Sequence, residues 1–365
     1  MTLWLYVARR FLFMFALVFA VFFGIMLMVE TIEQVRRLAG TDAGLGEATA
    51  LALLGVPASL YRILPLVTIL ATVALFLTLA RTSELVVMRA TGRSGLATLT
   101  APVATALVIG AVAVAVLNPI AAGTSKRAEE LSARYSLGSG NVLSVSREGL
   151  WLRQGGAAGQ SVIRAAQSNQ DGPVLHDVTF VTFATGARPS SRIEAREARL
   201  DEGAWVLTDA KEWQLAGETV AERGAVLHDT LRVPSDLTAD QIRDSFGAPS
   251  VIPVWDLPAF IDSLTRAGFS ARQHQVWFQT ELALPLLLAA MVLVGAGLTM
   301  RHARFGRSGM MALLSMIAGF AIFFLRNFAQ VLGENGHIPV ALAAWGPPVV
   351  ATLLSLSLVL HLEDG

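Results

Sequence analysis

With 28 acidic and 28 basic side chains in 365 residues the chain is formally neutral, which excludes a nucleic-acid partner gripped through a broad basic field. Charged residues make up only 15% and hydrophobic residues 54%, with a mean hydropathy of +0.56, whereas a soluble domain carries about 25% charged residues. Cysteine is absent, which removes disulfides, thiolate nucleophiles and cysteine-ligated zinc together.

Taken in chain order, the missing charge is confined to six uncharged apolar runs at 11–29, 63–80, 94–125, 282–300, 308–325 and 338–360. Each reaches the roughly 18 residues that a helix needs to cross a ~30 Å hydrocarbon core. The first follows Arg9 and Arg10 but is longer than a signal-peptide core of about 7–15 residues. It is followed by Glu30-Thr31-Ile32-Glu33 in place of a small-x-small cleavage site, so it reads as a retained transmembrane helix. The second helix starts near Ala48, with Arg62 bracketed by Pro57 and Pro65, which predicts a kink or a loosened outer half. The third is rich in Ala and Gly, including Gly110, and should lie inside a bundle, where small residues let helices approach closely.

Between the second and third runs, residues 81–92 read as a short surface helix. Ser83 is placed as its N-cap, Glu84 at its positive start and Gly92 as its stop. Leu85, Val86 and Met88 are expected to embed, leaving Glu84 and Arg89 in water.

The central block, 126–273, has a soluble composition and reads mainly as strands. They are expected at 149–154, 160–167, 174–183, 192–200, 205–208, 212–216 and 225–233, separated by Gly, Asp, Asn or Pro. Two helices are expected after them, over 235–244 and from Leu257. The fold class is therefore an α+β membrane protein: six transmembrane helices in a 3+3 arrangement around an antiparallel, jelly-roll-like β domain. Its divisions are 1–125, 126–273 and 274–365. Short-loop Arg residues (Arg9, Arg10; Arg81, Arg89, Arg93; Arg301, Arg304, Arg307) share one side, which the orientation rule makes cytoplasmic. Both termini then lie in the cytoplasm and the β domain outside it.

No chemistry of the chain's own is visible. The six His residues are scattered, no acid pairs with them at ligand spacing, and no G-x-x-x-x-G-K-[ST] cradle exists. No ionisable residue falls inside the six runs, against the habit of gradient-driven carriers. The reading is a non-enzyme with no catalytic or metal residues, whose energy, if it does work, comes from a partner. A non-transporting scaffold that presents its β domain to envelope proteins is the alternative, and a membrane hydrolase a remoter one.

The loop 81–92 with its Ser-Glu-Leu-Val-Val-Met run, the Glu33–Gly40 sequence Glu-Gln-Val-Arg-Arg-Leu-Ala-Gly, the Gly149-Leu150-Trp151 strand start and the 3+3 plan resemble the LptF/LptG permeases. These are subunits of the lipopolysaccharide-export ABC transporter, and the likeness is closer to the LptG type. The resemblance implies an inner-membrane, multi-pass permease with a periplasmic jelly-roll. Its implied partners are an LptF-type sister permease, an LptB-type ATPase dimer that binds ATP and Mg, and an LptC/LptA-type periplasmic bridge. The implied cargo is lipopolysaccharide. Glu84, flanked by Ser83 and Arg89, matches the glutamate of the helix that couples to the ATPase. Arg36 and Arg37 match a basic pair facing the lipid's phosphorylated head, where Arg suits phosphate by charge-assisted bidentate bonding. A further basic residue expected a turn earlier falls at Glu30 here. Phe320, Phe324, Phe180 and Trp205 are candidates for acyl-chain contact, the last two also reading as core residues.

Overall fold

The computed structural model describes residues 2–38, 44–90, 92, 94–135, 142–146, 149–156, 159–168, 174–183, 189–201, 203–215, 224–235, 248–266, 270–300 and 308–363. Two compact units emerge: a helical one (Met1–Tyr135, Ser250–Trp255 and Arg272–Gly365) and a sheet one (Ser136–Pro249 and Asp256–Ala271).

The helical unit opens with α1 (Thr2–Leu38), α2 (Leu45–Arg81) and the short α3 (Glu84–Ala90). Next, α4 (Gly95–Val112) passes through a π-helical turn, Ala113–Leu117, into α5 (Asn118–Tyr135). After α6 (Leu257–Arg266) of the sheet unit come α7 (Arg272–Leu282), α8 (Leu284–Thr299), α9 (Ser308–Glu334) and α10 (Val340–Glu363). Among the described residues, five segments are long and apolar enough to cross a membrane: Leu3–Leu38, Leu45–Arg81, Gly95–Glu129, Gly309–Glu334 and Val340–His361. The sixth expected span corresponds to α7 and α8 together, bent by 50°. Pro285 lies in the first turn of α8; lacking an N–H it cannot bond back to the preceding turn, so the helix restarts there. By contrast α2 starts three residues before Ala48 and remains helical through Pro57 and Pro65.

The core runs along α2 and α8. Leu64, Val67, Ile69, Leu75 and Phe76 of α2 pack with Leu287, Leu288, Met291 and Val292 of α8, all buried. A helix apolar on every side must be enclosed, and α8 is. Where α4 crosses α8, a β-carbon on Gly110 would lie 2.5 Å from the Pro285 Cα, so the small residue permits a backbone contact. At the periphery, α1 buries only the narrow stripe Val7, Phe11 and Phe15, spaced one turn apart, and leaves Phe13, Leu17, Val21 and Ile25 exposed.

A buried polar cluster joins the irregular points of this bundle. Glu281, fully buried two residues before the α7–α8 bend, accepts hydrogen bonds on one carboxylate oxygen from the Tyr61 hydroxyl and from the Asn118 Nδ2 at 3.1 Å. Tyr61 lies between the two prolines of α2, and Asn118 directly follows the π turn. Arg326 of α9, also buried, brings an opposite charge toward Glu281 and Tyr61. The Asn118 side-chain Oδ1 accepts the Val254 N–H at 2.9 Å, and the Trp255 indole donates to the Ala115 backbone carbonyl at 3.2 Å. A π turn leaves backbone carbonyls poorly served, and hydrocarbon offers no water to serve them; here Trp255 serves one.

The sheet unit is a seven-stranded antiparallel sheet. Its strands are β1 (Val142–Ser146), β2 (Gly149–Gly156), β3 (Gly159–Ser168), β4 (Val174–Phe183), β5 (Pro189–Asp201), β6 (Ala204–Gln214) and β7 (Val226–Pro234). Neighbours follow strict chain order, so the described strands form an up-and-down meander without the crossed connection of a Greek key. β1 has no counterpart among the expected strands, and the runs expected at 205–208 and 212–216 are one strand, β6. Asp209 takes a left-handed conformation (φ 52°) and interrupts the ladder opposite Arg196, after which pairing resumes. Asp177 (φ 51°) does the same on β4, across from the same Arg196. At this level the inward-facing residues shift phase on three strands at once: Leu175 to Val178, Ala195 to Ala198, Leu207 to Ala210. Strict period-two counting therefore fails there. The expected helix at Leu257 is α6, which packs Leu264 into the sheet core; residues 236–244 of the other expected helix lie outside the described residues.

Two measurements on the purified chain in detergent test this packing. Glu281→Ala, which strips two buried donors of their acceptor, should cost about 1–3 kcal/mol for each stranded donor and lower the melting temperature well below that of Tyr61→Phe, which removes one hydrogen bond worth about 1 kcal/mol. Equal melting temperatures would mean that the carboxylate does not hold the bundle. Gly110→Val should separate α4 from α8 and cost about 1–3 kcal/mol by overpacking; an unshifted melting curve would disprove the close approach.

Candidate functional site

The helix α3 is seven residues long and is held by its surroundings. Leu85 and Met88, three apart and so on one face, are buried in the bundle core, while Val86 and Val87 are exposed. Val86, expected to embed, therefore faces outward. Ser83 starts the helix through its backbone: its carbonyl accepts the N–H groups of Val86 and Val87, each at 3.2 Å. It does so from a left-handed conformation (φ 59°), not from the extended one of an ordinary N-cap. Gly92 has φ 79°, the conformation for which glycine stops a helix at least cost. The side chain of Arg89 lies outside the described residues.

Glu84 stands at the centre of a charged clasp. The Arg10 guanidinium lies 2.6 Å from both carboxylate oxygens, the Tyr6 hydroxyl donates to Oε2 at 2.7 Å and the Thr82 hydroxyl to Oε1 at 2.9 Å. Tyr6 and Arg10, one turn apart on α1, also bond each other, and the guanidinium lies 5.5 Å from the Tyr6 ring centroid. Burial pushes the Glu84 carboxyl up, but the bonds from Arg10, Tyr6 and Thr82 together with the Arg10 charge outweigh it, and the group is held below the usual carboxylate range. The sequence pointed to Glu84; its partners on α1, Tyr6 and Arg10, sit more than seventy residues away, and no local pattern joins them to it.

Arg36 and Arg37 occupy the opposite end of α1, so they and Glu84 form two separate sites. Glu33 pairs with both, at 2.8 Å to Arg36 and 3.1 Å to Arg37. Exposed helical pairs of this kind are worth little, and the Arg36 and Arg37 side chains stay 77% and 68% exposed. Glu30, where the resemblance expects a basic residue, turns instead to α2: its Oε1 accepts the Ser59 hydroxyl at 2.6 Å, and its carboxylate lies over Gly55.

The aromatic candidates divide. Phe320 and Phe324 are exposed on α9, available to an apolar partner. Phe180 and Trp205 are fully buried in the sheet core, edge to face with ring centroids 6.3 Å apart. The Trp205 indole donates to Gln154 at 3.3 Å, and Gln154 in turn bonds Ser235 and the Pro234 carbonyl. Contact with an acyl chain would require both rings to leave that core, so they are structural residues.

Sequence reading missed the Glu281 cluster. Glu281 and Arg326 sit one residue outside two apolar runs, at 282 and 325, and therefore read as ends of spans. The signal available in the sequence was a polar residue, Asn118, inside the otherwise apolar third run. Among the described residues, no three His, Asp or Glu gather into a group that could hold a metal.

A family model described as lipopolysaccharide export system permease LptF/LptG matches residues 5–361. The chain is 23% identical over 333 residues, 91% of its own length and 87% of theirs, to proteins named lipopolysaccharide export system permease protein LptG from Escherichia coli strain K12 and from Escherichia coli O6:H1. A match over essentially the whole chain, with apolar helices on both sides of an antiparallel sheet, leaves one conclusion: this chain belongs to the LptF/LptG family of permeases.

Proposed function

We propose that this chain is the permease subunit, closer to the LptG type, of an ATP-driven exporter that extracts lipopolysaccharide from the inner membrane and passes it to a periplasmic bridge. The observation that carries the reading is α3. It is a rigidly seated helix on the side that the Arg-rich loops make cytoplasmic, with an exposed apolar pair, Val86 and Val87, and a fixed carboxylate, Glu84. Such a helix suits docking by a cytoplasmic ATPase that binds ATP and Mg in place of this chain. Extraction needs that energy, because each buried CH2 of an acyl chain is worth about 0.8 kcal/mol.

At the outer end of α1, the exposed Arg36 and Arg37 would meet the phosphorylated head group, exchanging their weak pairing with Glu33 for bidentate bonds to phosphate. Phe320 and Phe324 would meet acyl chains. A sister permease of LptF type would pair with this chain. The sheet unit, placed outside the cytoplasm by the same orientation rule, would receive the lipid and join an LptC/LptA-type bridge.

The test is purification of the tagged chain in mild detergent, with mass spectrometry of what accompanies it. An ABC ATPase, a second six-helix permease and lipopolysaccharide should be recovered; recovery of envelope structural proteins alone would favour the scaffold. Glu84→Ala should reduce ATP-dependent lipid release in vesicles at least about tenfold with the permease still inserted, and full release would count against the docking role. Arg36→Glu with Arg37→Glu should weaken lipid co-purification while the ATPase stays bound; undiminished lipid would place the head group elsewhere.

A further inference from the structure

The Glu84 clasp does more than fix a docking helix. Its donors come from two places: Thr82 in the turn just before α3, and Tyr6 with Arg10 on α1. The far end of α1 carries Arg36 and Arg37, and α1 is an unbroken helix of 37 residues, about 55 Å long at 1.5 Å per residue. Proline is absent from it, so none of the usual points of flexure interrupts it. A second tie, Glu30 to Ser59, fastens its upper part to α2, and α2 itself leads through Thr82 and Ser83 into α3. The three helices are thus joined below by the clasp and above by the Glu30–Ser59 bond. Besides the buried stripe Val7, Phe11 and Phe15, α1 packs the partly buried Leu3, Ala8, Met14, Val18, Phe19 and Phe22 against the core, and its outer face is exposed.

We propose that α1 is the transmission rod of this permease: the Tyr6–Arg10–Glu84 clasp makes it follow α3, so a displacement of the docking helix reaches the basic pair Arg36 and Arg37 at the opposite end. Arg10 and Tyr6 are positioning residues in this scheme, and Glu84 acts through α1 as well as at the docking surface. The inference rests on the proposed function. It differs from that reading in assigning the work of the carboxylate to a contact within the chain.

The experiment uses the full complex of permeases and ATPase in vesicles and reads lipopolysaccharide released per ATP hydrolysed. Arg10→Glu should lower that ratio about five- to tenfold, and combining it with Glu84→Arg, which restores the pair with its charges exchanged, should recover most of the loss. Tyr6→Phe removes one donor, leaves both charges in place and should cause a smaller drop; it decides the matter if Arg10→Glu fails to assemble. Since the chain has no cysteine, a single one introduced at the exposed Val35 and labelled with a fluorophore reports on the upper end of α1 directly. Its ATP-dependent signal should vanish in Arg10→Glu and return in the exchanged pair. Wild-type coupling in both Arg10→Glu and Tyr6→Phe would overturn the inference. So would an exchanged pair no better than Arg10→Glu, which would put the action of Glu84 on the ATPase alone. A wild-type complex that hydrolyses ATP without releasing lipid would sink the functional reading and this inference with it, whereas wild-type release with an insensitive clasp would sink the inference alone.

Discussion

Hydrocarbon offers no hydrogen bonds, so every departure from a regular helix inside the bundle must be satisfied by the protein itself. Two departures from regularity, the π turn between α4 and α5 and the bend between α7 and α8, meet the stretch of α2 between Pro57 and Pro65, which itself stays helical. Glu281, Tyr61 and Asn118 meet there, with Arg326 as the opposing charge. A carboxyl group buried in this way is costly unless it is hydrogen-bonded. The cluster therefore fixes which helices can be neighbours and in what register, and Gly110 can lie on the backbone at Pro285 because the helices are held so.

Against that fixed centre, α1 is the loosely embedded element. It fully buries only the stripe Val7, Phe11 and Phe15, packs further apolar residues such as Met14, Val18 and Phe22 partly buried beside it, and adds polar ties near its two ends, Arg10 and Tyr6 to Glu84 below and Glu30 to Ser59 above. The centre of the bundle is held by apolar burial and a buried carboxyl group, which are hard to exchange. The lower end of α1 is held by partly exposed charge-assisted bonds, which exchange more readily.

The sheet unit solves a separate problem. Asp177 and Asp209 break the ladder on either side of Arg196, turning the inward phase by one residue on three adjacent strands without ending any of them. Phe180 and Trp205 fill the core beside that step, and the Trp205 indole is satisfied by Gln154. Their burial makes both rings part of the sheet core.

Sequence by itself determined the apolar runs, the soluble block between them, the start and stop of α3, and the family, because hydrophobic length, turn chemistry and short motifs are local properties. It pointed to Glu84 and the Arg36–Arg37 pair for the same reason. It misplaced Val86, split β6 at Asp209 and read Glu281 and Arg326 as ends of spans, since the face of a short helix, the persistence of a strand through an irregular residue and the burial of an edge charge all depend on what packs against them. Only the tertiary structure decided that Glu84 is clasped by Arg10 and Tyr6, that Glu30 serves Ser59, and that Tyr61, Asn118 and Glu281 meet: these contacts join residues 29 to 220 positions apart, and long-range pairing of this kind is set by how helices pack, which no local pattern encodes.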